Sequence, residues 1–154
     1  MHQRHCPRLM AKVSIRKPIR RLSGFRRLFL ASPELFETDE CWLCREPLVS
    51  DDMSLDHVVP HRYLYSDDLW NLVPVHRVCN SRKGSRVAPP EVLQRVSRRN
   101  AAVWEFAETR TDLRRWSRAV AQDEGDFQSR LPNAASGAVK AGFRVYPRSS
   151  ALSE

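Results

Sequence analysis

Apolar positions change their spacing several times along this chain, and each change marks an element. Leu22, Phe25 and Phe29 recur at helical spacing, with Arg20, Arg21, Arg26 and Arg27 over much of the remaining surface. This predicts a short helix over 19–31 in spite of Gly24. Ser32-Pro33 opens a further helical turn, PELFE, with proline at the first helical position. From Met53 to Val59 the apolar Leu55, Val58 and Val59 predict a strand, and Pro60 to Trp70 predicts a loop with Ser66-Asp67-Asp68 as its turn. Leu72 to Val75 predicts a short apolar strand, and Arg77 to Lys83 a helix stopped by Gly84. The order is strand, loop, strand, helix.

Pro89-Pro90 marks a boundary and a helix start. A helical repeat runs over 90–108 through Leu93, Val96, Val103 and Ala107, interrupted by Asn100; a second helix over about 111–122 has Leu113, Trp116 and Val120 on one face. Trp104 and Trp116 read as packing residues. Beyond Gly125 the chain turns Ser-, Ala- and Gly-rich, which predicts a loose tail with short order near Phe143 to Tyr146. The expected organisation is a basic flexible arm over 1–18, a short helical segment over 19–38, a central module over 39–88, a helical pair over 89–123 and a loosely ordered tail over 124–154. The fold class is α+β, a small strand–strand–helix module flanked by helices.

Charge sharpens this picture. The chain has 154 residues, a formal charge of +8 and an isoelectric point of about 9.9, which favours a polyanionic partner, most simply nucleic acid. Nine Lys or Arg and no acid lie between Met1 and Pro33; acids dominate from Glu34 to Asp68, and a second basic run covers Arg77 to Arg99. The arginines of the first helix serve either phosphate contact or an ordinary solvated face. The N-terminal stretch reads as a DNA-binding arm ahead of an organelle transit peptide, with Met10 as an alternative start and His2, His5 and Cys6 as parts of a flexible tail. No apolar run approaches a membrane span.

The four cysteines do not read as two disulfides. Cys41 and Cys44 form C-x-x-C, His76 and Cys79 form H-x-x-C, and Cys6 is left over. Four N and S ligands in two pairs suit tetrahedral Zn²⁺. Thirty-one residues separate the pairs, long for a zinc finger, but a strand–loop–strand insertion brings them together at the base of a hairpin. Such a clamp is the usual remedy for a module too small to bury much core. Thiols kept for a metal point to a reducing, cytoplasmic setting of the bacterial or phage kind.

Between the pairs lies a second set. Metal-assisted hydrolysis of a phosphodiester needs an oxygen ligand for a hard cation, a base for water and a cation near the leaving oxygen. Asp56 offers the ligand and neutral His57 the base. Asn80 offers another oxygen from the facing helix, and the Asn71 amide can hydrogen-bond across the loop to fix His57. Neighbours in a strand point to opposite faces, so Asp56 and His57 share one spot only if the strand ends there; Pro60 agrees with an ending strand. His61 reads as a solvated loop histidine. Arg77, Arg82, Lys83 and Arg86 make the basic end of the stretch and are candidate nucleic-acid contacts.

LDHVVP, then NLVPVH, then CNSRKG resembles the HNH, or ββα-metal, endonuclease family, in the variant whose third motif residue is Asn. The intervals are similar too: 14 positions from His57 to Asn71 and 9 from Asn71 to Asn80. The resemblance covers 41–86 and neither flank. It implies His57 as general base, Asp56 and Asn80 as ligands of one Mg²⁺ or Mn²⁺, Asn71 as the residue positioning the His57 loop, and Lys83 on phosphate. It implies DNA as substrate, double-stranded for preference, and products with 5′-phosphate and 3′-hydroxyl ends. His76 departs from the cysteine that many zinc-containing relatives carry. A homodimer or a protein partner is left open. The competing expectation is a non-catalytic zinc-stabilised nucleic-acid-binding module or accessory subunit; an Asp-His pair beside an Asn ligand argues against it, since a pure binder has no use for them.

Overall fold

A computed structural model describes residues 22–147. The arm expected over 1–18, and the first positions of the helix expected from 19, lie outside the described residues, as does the Trp116 side chain.

Helices α1 (Leu22–Ala31) and α2 (Pro33–Phe36) form one apolar hook. Phe29 and Phe36 are fully buried and their rings stack with centroids 4.0 Å apart. Burying each contributes roughly 2–3 kcal/mol. After the Cys41–Cys44 knuckle comes β1 (Met53–His57), antiparallel to β2 (Leu72–His76), with Met53 opposite His76 and His57 opposite Leu72. The helix α4 (Arg77–Lys83) follows at once and packs on both strands. Gly84 ends it with φ +56° and ψ −134°, a conformation that a side chain resists, and its N–H reaches the Asn80 carbonyl. This is the ββα arrangement expected over 53–83.

Pro74 stands inside β2, which fits a two-stranded sheet because its missing N–H falls on an edge. Its carbonyl accepts from Trp42 N at 3.1 Å, tying the knuckle to the hairpin. Between the strands the expected loop is partly helical: α3 (His61–Leu64) and a 3-10 turn (Leu69–Asn71). Pro60 starts α3 in an extended conformation, and Tyr65 closes it at φ +55° with its N–H on the His61 carbonyl.

α5 (Pro90–Thr109) and α6 (Thr111–Val120) lie close to where the apolar repeat placed them. Val96, Val103 and Ala107 are buried as the stripe implied, while Leu93 is only half-buried and its neighbour Val92 is buried instead; Asn100 is buried too. Asn100 donates to the Trp70 carbonyl at 2.9 Å. The buried Arg99 guanidinium donates to the Leu72 and Leu69 carbonyls and to Asn100 Oδ1. Burial pushes Arg99 down to about 9, still charged at neutral pH. These bonds satisfy carbonyls around the 3-10 turn that would cost about 1–3 kcal/mol each if left unpaired, so α5 holds the turn that carries Asn71.

The expected tail over 124–154 is corrected: residues 124–140 form a 17-residue helix, α7 (Glu124–Lys140). Asp123 caps it, its carboxylate accepting from Asp126 N at 2.8 Å. Phe127, Leu131, Ala135 and Ala138 are buried along one face, and Phe127 meets Trp104 with ring centroids 5.2 Å apart. Tertiary packing overrides the poor propensity of Gly125, Pro132 and Gly137. Gly137 has its own reason: a Cβ there would lie 2.2 Å from the Tyr63 hydroxyl, so the missing side chain lets α3 seat on α7.

Candidate active site and metal pockets

The knuckle and the start of α4 bring Cys41, Cys44, His76 and Cys79 together, with one ligand atom from each within 4.8 Å of the others. His76 Nδ1 lies 3.3 Å from Cys44 Sγ and 3.8 Å from Cys79 Sγ. Ligands about 2.0–2.3 Å from a tetrahedral Zn²⁺ are roughly 3.5–3.8 Å apart, so this donor set fits the ion. His76 Nε2 donates to the Pro47 carbonyl at 2.9 Å, which fixes the ring with Nδ1 toward the thiols. Burial raises the Cys41 thiol, but the N–H groups of Cys44, His76 and Leu43 outweigh it and bring it below its ordinary value. Cys44 is raised and Cys79 is pushed up to about 12, both chiefly by burial. All three cysteines are free.

On the other side of the hairpin lies an open cleft of about 470 Å³. Asp56, His57, His61 and Asn80 all line it. The strand ends at His57 and the chain bends at Val58-Val59, which is how two sequence neighbours come to share one cleft. Asn71 is wholly buried behind them. Its Oδ1 accepts from Val59 N and its Nδ2 donates to the Val59 carbonyl, both at 2.8 Å. The bend after His57 is thereby clamped by one side chain. The Asn80 amide donates to Ser54 Oγ at 2.9 Å and toward the Leu55 carbonyl, leaving its oxygen as the end available to a cation.

Asp56 is 4 % exposed, and burial pushes its carboxyl up to about 6 against the pull of Lys83. Lys83 Nζ lies 3.0 Å from Asp56 Oδ2 and 3.3 Å from Oδ1, with its hydrogen bond directed at Oδ1, and also donates to the His57 carbonyl at 2.7 Å. Oδ2 accepts no directed hydrogen bond. Asp56 and Asn80, a carboxylate and an amide lining one cleft, are oxygen donors of the kind that could hold a hard divalent cation.

Lys83 corrects its assignment. It is 1 % exposed and cannot reach phosphate from there; it balances Asp56 and braces the His57 backbone. Only a view of which face α4 turns to β1 separates this role from surface contact. Arg77 is exposed and donates to the Asp51 carbonyl, Arg82 is exposed, and neither lines the cleft. Arg86 lines an adjoining cleft.

The structure adds Asp67 to the set. Its carboxylate, 7 % exposed, accepts from His57 Nε2 at 2.9 Å. In the neutral ring this leaves Nδ1 as the nitrogen without a proton. Burial pulls the His57 pKa below its ordinary value, with Asp67 opposing, so the ring is neutral at pH 7. His61 stands beside it, ring centroids 5.3 Å apart, with Nε2 3.9 Å from the same Asp67 oxygen. In the sequence Asp67 is one acid of a turn; nothing there shows that α3 folds it back onto His57.

A buried Asp, a His held by a carboxylate and an Asn stand together on a ββα frame whose base carries a Cys3His group able to hold zinc. Residues 43–89 match the family model of the HNH endonucleases. The ββα module is similar to that family. The match takes in Asp56, His57, Asn71 and Asn80 and three residues of the Cys3His group, beginning just after Cys41 and Trp42. It covers under a third of the chain, so the helices that hold the HNH module from either side lie outside it. No curated protein matches the chain. The HNH module points to nuclease chemistry on nucleic acid, with the Cys3His pocket as a zinc site. Among the described residues no helix is long and apolar enough to cross a membrane.

Proposed function

We propose that this protein is a metal-dependent DNA endonuclease, acting on duplex DNA through an HNH module over 39–88. One observation carries the reading: Asp56, His57 and Asn80 converge on one open cleft, with His57 held by Asp67 so that Nδ1 is bare. His57 Nδ1 takes a proton from water as the water oxygen attacks phosphorus. The bond from phosphorus to the 3′-oxygen breaks, leaving a 5′-phosphate and a 3′-hydroxyl. Mg²⁺ or Mn²⁺ held by Asp56 and Asn80 would supply Lewis-acid stabilisation at the phosphoryl and leaving oxygens. Asn71 acts through the Val59 clamp and Lys83 through Asp56, so both are positioning residues. Each module holds one such site, so cutting both strands takes two visits or a second copy. The free thiols suit a reducing cytoplasm.

The products test this reading. Incubated with Mg²⁺ or Mn²⁺, a labelled duplex is expected to give fragments that a DNA ligase rejoins and a polymerase extends without prior phosphatase treatment. Fragments ending in 3′-phosphate would rule out the assigned bond cleavage.

Asp67 gives a sharper test of how His57 is held. Asp67→Asn is expected to lower the single-turnover rate by at least ~10²-fold, because a buried carboxylate that sets the tautomer of a base is worth that much or more. Duplex affinity should change little, and Asp67→Glu should restore part of the rate. A full rate in Asp67→Asn would remove Asp67 from the site.

A further inference from the structure

We infer that the catalytic cleft continues into a second, basic cleft, built partly by the C-terminal segment beyond the family match, and that this second cleft holds phosphates of the DNA strand flanking the one cut. The identity of the strand rests on the nuclease reading.

The two clefts are continuous, since Arg62 and Ser85 line both. The second, about 290 Å³, is completed by Arg86, Gly142, Phe143 and Arg144 among others. Three guanidinium groups surround it and no carboxylate does. Among the described residues neither Arg62 nor Arg144 has an ion pair, whereas Arg95, Arg118 and Arg130 elsewhere are paired with acids. Like charges gathered around one cleft repel unless a polyanion occupies it.

The cleft is also built, not a chance meeting of side chains. Arg86 Nε donates to the Lys83 carbonyl at 3.0 Å, and its guanidinium lies over the Tyr146 ring, 4.8 Å from the centroid. The backbone carrying Arg144 is pinned to the module: Val87 N donates to the Arg144 carbonyl at 2.9 Å and Tyr146 N to the Val87 carbonyl at 2.8 Å. Phe143 meets Tyr63 of α3 edge to face, centroids 5.7 Å apart. Gly142, at φ +93°, makes the turn from the end of α7 into this segment. The segment after α7 is thus fixed against the same α3 that follows His57. Guanidinium groups in a fixed frame suit phosphate oxygens, and such contacts set register without reading bases.

Arg144 is exposed and outside the catalytic set, so it is the residue to change. Binding of a labelled duplex to zinc-loaded protein without added Mg²⁺ is measured across a salt series, for wild type, Arg144→Ala and Arg144→Glu, with zinc content and melting as folding controls and Arg144→Gln in reserve. Arg144→Ala is expected to bind several-fold more weakly and to lower the slope of log affinity against log salt by about one. Arg144→Glu should bind more weakly still. Unchanged affinity and slope in both variants overturns the cleft and leaves the nuclease reading standing. Wild type that binds but never cleaves overturns the nuclease reading, and the slope still decides the cleft. Wild type that binds no DNA overturns both.

Discussion

Removing zinc from Cys41, Cys44, His76 and Cys79 is expected to abolish the folded state of the HNH module. A two-stranded hairpin is marginal by itself, and here the pocket closes its base: Met53 pairs with His76 at the end of the register, and Trp42 N holds the Pro74 carbonyl. A structural zinc site contributes on the order of 10 kcal/mol, comparable to the roughly 5–15 kcal/mol that a whole domain possesses. The expected result is one zinc per chain and loss of cooperative melting after chelation, with Cys41→Ser behaving like the chelated protein. Because Cys44 and Cys79 are raised by burial, binding the ion drives off their protons, and zinc affinity should fall as pH falls. A chelated protein that melts as before would show that the packing of α5 and α7 suffices without the clamp.

His57→Ala is expected to lower cleavage by about 10²- to 10⁴-fold, the range for a general base, with duplex affinity within a few-fold of wild type. The imidazole is largely buried against Asp67 and the cleft wall, and contributes little surface to a bound strand. Burial lowers its pKa, so the wild-type base gains nothing from a pH above 7, whereas the variant, left to hydroxide, should gain rate as the pH rises. A cleavage rate within a few-fold of wild type would remove His57 from the chemistry. Loss of binding in parallel with cleavage would assign it to substrate contact instead.

How much of this the amino-acid sequence disclosed depends on the range of the forces involved. The strands and α4 were legible because their signals are local: Leu55 and Val59 against Val73 and Val75, and a glycine at the end of α4. The Cys3His group was legible because two pairs with metal spacing have few other uses. α7 was not, because Gly125, Pro132 and Gly137 argue against a helix, and its stripe of Phe127, Leu131, Ala135 and Ala138 acquires value only against α5. Lys83 looked like a surface cation because its partner Asp56 is 27 positions away in the chain. Asn100 looked like a flaw in an apolar stripe, yet with Arg99 it satisfies the carbonyls of the turn that carries Asn71. Asp67 was hidden for the same reason: its function depends on α3 folding the loop back onto His57.

The most direct measurement is cleavage of supercoiled plasmid by zinc-loaded protein, with and without added Mg²⁺ or Mn²⁺, beside the His57→Ala protein loaded in the same way. Omitting the second metal, rather than adding a chelator, keeps the zinc pocket intact and isolates the cation at Asp56 and Asn80. The expected result is nicked or linear plasmid only when Mg²⁺ or Mn²⁺ is present, and nearly none with His57→Ala. Equal cleavage without added metal, equal cleavage by His57→Ala, or no cleavage by folded wild type bound to DNA would contradict the assignment of this cleft as the active site of an HNH nuclease.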